Sequence, residues 1–400
     1  MSIDVTLRRA DRPNGATVKL SFPMEDDAMM RELELIGVGN SLTPDCTVLA
    51  VEQGASVGSH TLPVLQCLCH TNINVDELNY LAHRLEGFTQ REIDKFQSAV
   101  VLNDISELRN LINLSFNLDT YSVITDFSDL TGLGRILYMD QHGGLGPTEN
   151  QPYIDYAAIA SGFINNQKGT VTPYGVVYDI GPEMEEAYGG RLFPDYDYTN
   201  AWEMHMAVTN RLDPSADVSV NRGVCWLYLP VPHCWIEKTL LRLGANTLAD
   251  LVLECDDSQL TLPFEVDNLR ALNDLCWVTT YLDSKGHDKF QAAIELAEPK
   301  TLEQALNLAK GLDLFSYIPD VATPEEYGLY MIRESGHFEF DERLEGFYSY
   351  EQYGTLRVQQ EQGKFLNTLL SKGYVCYEGA QTLKDLLQNG PEQQAEMMMG

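Results

Sequence analysis

Apolar residues recur along this chain in two rhythms. Alternation, which aims every second side chain at one face of a strand, marks VKLSFP ending at Pro23 and CWLYLP ending at Pro230. A helical stretch follows each, and then a second strand-like run, CTVLAVE in the first case and LADLVLE in the other. Spacings of three and four residues, the signature of a buried helix face, group Leu78, Leu81 and Leu85. The same spacing groups Ile93, Phe96 and Val100, and then Ile105, Leu108 and Ile112. A short strand (YSVI, FSYI), another helix and a closing strand (YGVVY, GYVCY) complete each series. Short helices and strands mixed in this way predict an α+β fold.

The series occurs twice because the chain repeats itself. DKFQSAV at Asp94–Val100 returns as DKFQAAI at Asp288–Ile294, 194 residues later. At that fixed offset Leu78-Asn79 falls on Leu272-Asn273, Asn113-Leu114 on Asn307-Leu308 and Leu118-Asp119 on Leu312-Asp313. Ser122, Ile124, Asp126 and Gly134 fall on Ser316, Ile318, Asp320 and Gly328, and about a third of positions 78–134 are identical without a gap. Tyr156 lands on Tyr350, while the closing strands align Tyr178 with Tyr377 at an offset of 199. Upstream, Pro23 and Pro230 give an offset of 207, so the second copy has lost about 13 residues, assigned to the loop-like VEQGASVGSH. The expected organisation is a first unit over 1–180, an acidic linker over 181–203 (IGPEMEEAYGGRLFPDYDY), a second unit over 204–378 and a polar tail over 379–400. Each unit divides into about three small modules, and modules of this size bury little surface alone. The expectation is therefore an elongated row of docked modules.

Composition changes the picture in one respect. The 59 acidic residues against 27 basic ones give a net charge of −32, while the 44 % hydrophobic content is that of a folded chain. The acids are spread: 23 lie in 1–180, five in 181–200 and 31 in 201–400. Such a surface repels nucleic acid and anionic membranes and attracts basic partners. No stretch reaches the roughly 18 apolar residues of a membrane span, and the N-terminal residues lack the apolar core of a signal peptide. A cytoplasmic location is expected, and the eight scattered cysteines read as reduced thiols.

The repeated segments resemble a known family. DELNYLAHRLEG (76–87), the DKFQSAV helix and LINLSFNLDTY (111–121) are similar to the middle region of ArdA antirestriction proteins. NLAKGLDLFSYIPDVATPEEYGLYMI (307–332) and FYSYEQYG (347–354) resemble that family's last module, of which the first copy keeps a partial form around Ile154-Asp155-Tyr156. The resemblance implies an antirestriction protein: a non-catalytic acidic DNA mimic that binds type I DNA restriction-modification enzymes at their DNA-binding cleft and protects mobile-element DNA. The family usually acts as a dimer of single units. Two units in one polypeptide lead to the expectation of a pseudo-dimer that is monomeric as a chain. The alternative is an acidic adaptor or inhibitor of another DNA-binding or anti-phage defence protein.

Mimicry requires carboxylates on rigid elements. The candidates in the first copy are Glu86, Glu92, Asp94, Asp104 and Glu107, which fall off the apolar helix faces. Glu183, Glu185 and Glu186 stand in the joint; Asp288, Glu295, Glu298, Glu303, Glu325 and Glu326 belong to the second copy. Asp76 and Glu325 sit where helix N-termini are expected and would also serve as caps. Asp119 and Asp313 read as structural, and the tyrosines of Tyr196-Asp197-Tyr198 and Tyr348-Ser349-Tyr350 as packing or as an extension of the interface. Signals for catalysis are weak. Asp140-Gln141-His142 with Gly143-Gly144 reads as a turn, GLGRIL (132–137) is too short for a dinucleotide fingerprint, and Cys67-Leu-Cys69-His70 lacks the second ligand pair of a zinc site. No cofactor or metal is expected.

Overall fold

The computed structural model describes residues 3–39, 41–53, 62–142, 154–197, 201–336, 339–368 and 371–392. Most of VEQGASVGSH, Gly143-Gly144, Tyr198 and the terminal EMMMG lie outside them. The chain is α+β and forms two compact units, residues 1–198 and 199–400.

Unit 1 begins with β1 (Ile3–Arg9), β2 (Thr17–Phe22), α1 (Asp26–Glu34), β3 (Cys46–Gln53) and β4 (Asn72–Ile73), whose strands form an antiparallel sheet ordered β2-β1-β3-β4. Alternation buries Ile3, Val5 and Leu7 of β1 together with Val18, Leu20 and Phe22 of β2. Three helices follow: α2 (Val75–Glu86), α3 (Gln90–Asn103) and α4 (Leu108–Ser115). All nine residues assigned to their apolar faces are buried, although Ile105 precedes α4 instead of opening it. The unit continues with β5 (Tyr121–Ile124), α5 (Leu130–Gln141), α6 (Tyr156–Asn166), β6 (Thr170–Thr172) and β7 (Gly175–Asp179), the strands being ordered β5-β7-β6.

Among the described residues unit 2 has a similar order of elements, without a counterpart of β4 and with one helix more at its end. It runs β8 (Met204–Asn210), β9 (Val224–Leu229), α7 (His233–Leu243), β10 (Leu251–Ser258), then α8 (Leu269–Thr279), α9 (Ser284–Ala297) and α10 (Leu302–Lys310). β11 (Phe315–Pro319), α11 (Pro324–Leu329), α12 (Tyr350–Glu361), β12 (Lys364–Asn367), β13 (Lys372–Tyr377) and α13 (Leu383–Asn389) complete it. Its sheets are ordered β10-β8-β9 and β11-β13-β12. Helices α3 and α9 begin and end 194 residues apart, as β5 and β11 begin, and α6 and α12 begin.

Particular side chains explain why some positions recur. Asn79 on α2 accepts a hydrogen bond from Met24 N and donates one to Met24 O, both at 3.0 Å, which ties the helices to the first sheet's turn. Asn273 on α8 does the same to Val231, at 2.7 and 2.8 Å. Gly134 and Gly328 let paired helices touch: a Cβ would meet Tyr156 O at 1.7 Å on α6, or Tyr350 O at 2.0 Å on α12.

Three sequence expectations need correction. First, the closing strands align at an offset of 198, because Tyr178 pairs with Ser122 and Cys376 with Ser316. A slip of one residue reverses the face of every side chain in a strand. Accordingly Tyr178 and Cys376 each enter their unit's core, with Ile124 and Leu137 in one and Tyr327 and Tyr374 in the other, while Tyr377 packs on Phe315.

Second, most of the expected linker, residues 181–197, belongs to unit 1. Tyr188 is 1 % exposed, its ring stacks on Phe193 at 5.1 Å, and Phe193 stacks on Tyr80 of α2 at 4.5 Å. Tyr188 N donates to Asn113 Oδ1 at 2.7 Å and Asn113 Nδ2 donates to Tyr188 O at 2.9 Å. Asn117 holds Glu185 N and O in the same manner, at 2.9 and 3.0 Å. Third, part of the expected tail forms α13 and docks: Leu386 is buried and Asn307 Nδ2 donates to Leu387 O at 3.1 Å. Asn113 and Asn307 thus secure, in their own units, the segment after the closing strand.

Candidate partner-binding acidic surface

The structure sorts the fourteen candidate carboxylates by what they already do. Glu92 closes a capping box on α3, accepting from Thr89 N at 2.7 Å and Thr89 Oγ1 at 2.8 Å while Thr89 Oγ1 accepts from Glu92 N. Glu326 closes the equivalent box on α11, accepting from Ala322 N at 2.7 Å and Thr323 N at 3.1 Å. Donation from Ala322 N is the largest cause holding the Glu326 carboxyl below its ordinary value. These two groups are structural first, each satisfying helix donors that would lack partners. The Asn74 side chain, not Asp76, caps α2, and Asp76 is buried.

Others are held by side chains. Glu186 forms an ion pair with Arg109. Glu295 accepts from Thr368 Oγ1 at 2.9 Å, and Asp94 accepts from Gln90 Nε2 at 2.8 Å. Glu298 stands 3.9 Å from Lys364 Nζ.

A third set is presented to solvent from helix ends. Asp104 and Glu298 occupy equivalent C-caps in the left-handed region, with φ of 51° and 49°, so their backbones hold an uncommon and well-defined conformation. Glu107 precedes α4 without capping it, and Glu303 and Glu325 lie in the first turns of α10 and α11. That placement sets a negative charge at the positive end of the helix dipole. Glu86 at the end of α2, Asp288 on α9, and Glu183 and Glu185 of the docked segment are also exposed. Glu185 is therefore positioned through its backbone while its carboxylate remains outward.

Two groupings form inside the units. In unit 1, Asp94 lines a cavity with Asp126 and Asp129. In unit 2, burial and then the charges of Asp288, Asp320 and Glu295 raise the Tyr317 phenol above its ordinary value. Asp126 and Asp320 were legible as repeat identities but not as members of these groups. Sequence reasoning also passed over β10, an edge strand whose Glu254, Asp256 and Asp257 are exposed. The run ECDDS is its sequence signal. Asp256 Oδ2 lies 3.0 Å from Nδ1 of His205, whose ring stacks on Tyr228.

The weaker candidates resolve as packing. Tyr196 lies under the Arg84 guanidinium, with 4.9 Å from Cζ to the ring centre, and Tyr350 accepts from Arg333 Nε at 3.1 Å. His142 ends α5, stacked on Tyr138 at 4.0 Å with Nδ1 2.7 Å from Tyr138 O. Burial pushes the Cys67 thiol up to about 11 and Cys376 up to about 12, which disfavours reactive thiolates there. Among the described residues no three His, Cys, Asp or Glu side chains gather as a metal site would require.

No protein-family model matches this chain, and no curated protein does. The functional reading therefore rests on the residues themselves.

Proposed function

We propose that this protein is a non-catalytic antirestriction protein, an acidic mimic of duplex DNA that occupies the DNA-binding cleft of type I restriction-modification enzymes in the cytoplasm. The observation that carries the reading is the pairing of carboxylates at equivalent positions of rigid helices: Asp94 with Asp288 on α3 and α9, and Asp104 with Glu298 at their C-caps. Charges fixed by the fold lose less conformational entropy on binding than charges on a flexible tail. The net charge of −32 supports the same reading, since duplex DNA carries about one charge per 1.7 Å and the total matches on the order of 50 Å of duplex as an upper bound. Two acidic units in one polypeptide would take the place of two protomers, and the chain would work as a monomer. Among the described residues no helix is long and apolar enough to cross a membrane.

The test is a type I endonuclease assay on unmodified DNA, with purified protein titrated from substoichiometric to several-fold excess. Inhibition is expected near equimolar protein and should weaken as salt rises. An endonuclease unaffected at several-fold excess in low salt would remove the reading.

A further inference from the structure

A cavity of about 440 Å³ opens in unit 1 among the first turn of α3, strand β5 and the first turns of α5. Its apolar lining includes Ile124, Leu133 and Ile136, and its polar lining includes Asp94, Asp126, Asp129 and Arg91. Each carboxylate is already oriented by a neighbour: Asp94 by Gln90 Nε2, Asp126 by Ser128 N at 2.7 Å together with the Ser128 side chain, and Asp129 by Gly132 N at 2.9 Å. An ionised carboxylate has about four acceptor sites, so one or two donors leave acceptor capacity open. Three carboxylates against the Arg91 guanidinium leave the lining net negative.

Unit 2 differs at the corresponding positions. At the offset of 194, Asp94 and Asp126 become Asp288 and Asp320, but Val123 becomes Tyr317. The Tyr317 ring lies within electrostatic reach of both carboxylates, and its hydroxyl donates to Lys372 O at 2.9 Å. The Lys372 ammonium stands 3.8 Å from Asp320 Oδ1. Strand pairing sets Gly175 of β7 in the position of Gly373 in β13, so Tyr174 takes the place of Lys372. Unit 2 thus places a tyrosine and an ammonium of its own chain near this carboxylate pair, where unit 1 has a valine and a cavity.

We propose that the unit 1 cavity binds an alkyl cation, a guanidinium or primary ammonium on an aliphatic stem. The stem lies on Ile124, Leu133 and Ile136, and the charged head meets Asp94 and Asp126. Its source is a basic side chain of the protein partner, and that part alone rests on the function proposed above. The site itself is tested without a partner, by NMR titration of the methyl-labelled full chain with n-butylguanidine and with its neutral analogue n-butylurea. Butylguanidine should shift the Ile124, Leu133 and Ile136 methyls saturably, and butylurea should bind at least about tenfold more weakly, as expected when a charge-assisted pair is lost.

Val123→Tyr, which copies unit 2, should abolish the shifts. Asp126→Asn, at a solvent-facing position, should weaken binding about tenfold and keeps the test open if the tyrosine disturbs β5. Equal binding of the urea, or binding unchanged in both variants, overturns the site. In the endonuclease assay, Val123→Tyr should weaken inhibition at least about fivefold, on the scale of one interfacial hydrogen bond to a charge. Unchanged inhibition together with lost butylguanidine binding overturns the partner side chain as the source. Wild-type protein that binds butylguanidine but inhibits nothing refutes the proposed function and leaves the cation site standing.

Discussion

Replacing Asn113 with alanine tests whether the acidic segment after β7 belongs to unit 1. The amide makes two hydrogen bonds to the Tyr188 backbone, at 2.7 and 2.9 Å, and Asn113 and Tyr188 are 4 % and 1 % exposed. Alanine removes both bonds and leaves a buried N–H and a buried C=O on Tyr188 without those partners. Each such group costs about 1–3 kcal/mol, so the variant should lose about 2–4 kcal/mol after partial relaxation. The four tryptophans, Trp202, Trp226, Trp235 and Trp277, all lie in unit 2. Urea unfolding followed by tryptophan fluorescence therefore reports unit 2, whereas far-UV circular dichroism reports both units. Asn113→Ala should move the circular-dichroism transition to lower urea and leave the fluorescence midpoint in place. Asn307→Ala, which loses one bond of 3.1 Å to Leu387 O, should move the fluorescence midpoint by about 1 kcal/mol. An Asn113→Ala circular-dichroism transition within about 0.5 kcal/mol of wild type, the scatter of ordinary surface changes, would refute the claim that this segment is docked.

Gly134→Ala and Gly328→Ala should each cost about 3 kcal/mol or more in urea unfolding, because backbone oxygens at 1.7 and 2.0 Å from the new Cβ force the helix pairs apart. Gly162→Ala in α6 meets nothing within 4 Å and should instead stabilise by about 0.5–1 kcal/mol through helix propensity. Glu325→Gln should weaken endonuclease inhibition with a Tm lowered only slightly, by the loss of one helix-dipole charge, whereas Glu326→Gln should lower the Tm further, because Glu326 also closes the capping box of α11. The pH dependence of that cap follows from its depressed pKa: its stabilisation is present above the unfolded carboxylate value and lost as pH falls through the folded one. At alkaline pH, unit 2 should weaken. Tyr327 and Tyr374 are raised above the ordinary 10.0, first by burial and then by their shared acceptor Glu361 Oε2, so their contribution is complete below pH 10 and lost as pH rises above it. Fluorescence midpoints in urea measured from pH 9 to 11.5 should fall, and Tyr327→Phe with Tyr374→Phe should flatten the fall.

What could be read from the sequence was what spacing encodes. The faces of α2, α3 and α4 were legible because burial repeats every three to four residues, and α9 was legible from α3 because no gap separates the copies. The docking of residues 183–196 was not. IGPEMEEAYGGRLFPDYDY has no periodicity, and its anchors are the amides of Asn113 and Asn117 and the Tyr80 ring, residues that read as ordinary helix positions until their partners are known. The closing strands failed for a different reason. Aligning two tyrosines is persuasive by eye, but the pleat makes a one-residue error a change of face, and only the pairing of Ser122 with Tyr178 and of Ser316 with Cys376 decides it.

The carboxylates carry a stricter lesson, since net charge counts Glu326 and Glu325 alike while the fold assigns one to a cap and the other to solvent. Thr89-x-x-Glu92 and Thr323-x-x-Glu326 have the capping-box spacing, so those two exclusions were available from the sequence. The division between Asp94 and Asp288 was not. Their heptads are nearly identical, and the difference arises 29 residues further on, where Val123 lines a cavity and Tyr317 takes its position in the second copy. A duplicated acidic position can therefore border an open cavity in one copy and stand near a tyrosine in the other, and only neighbours distant in sequence decide which.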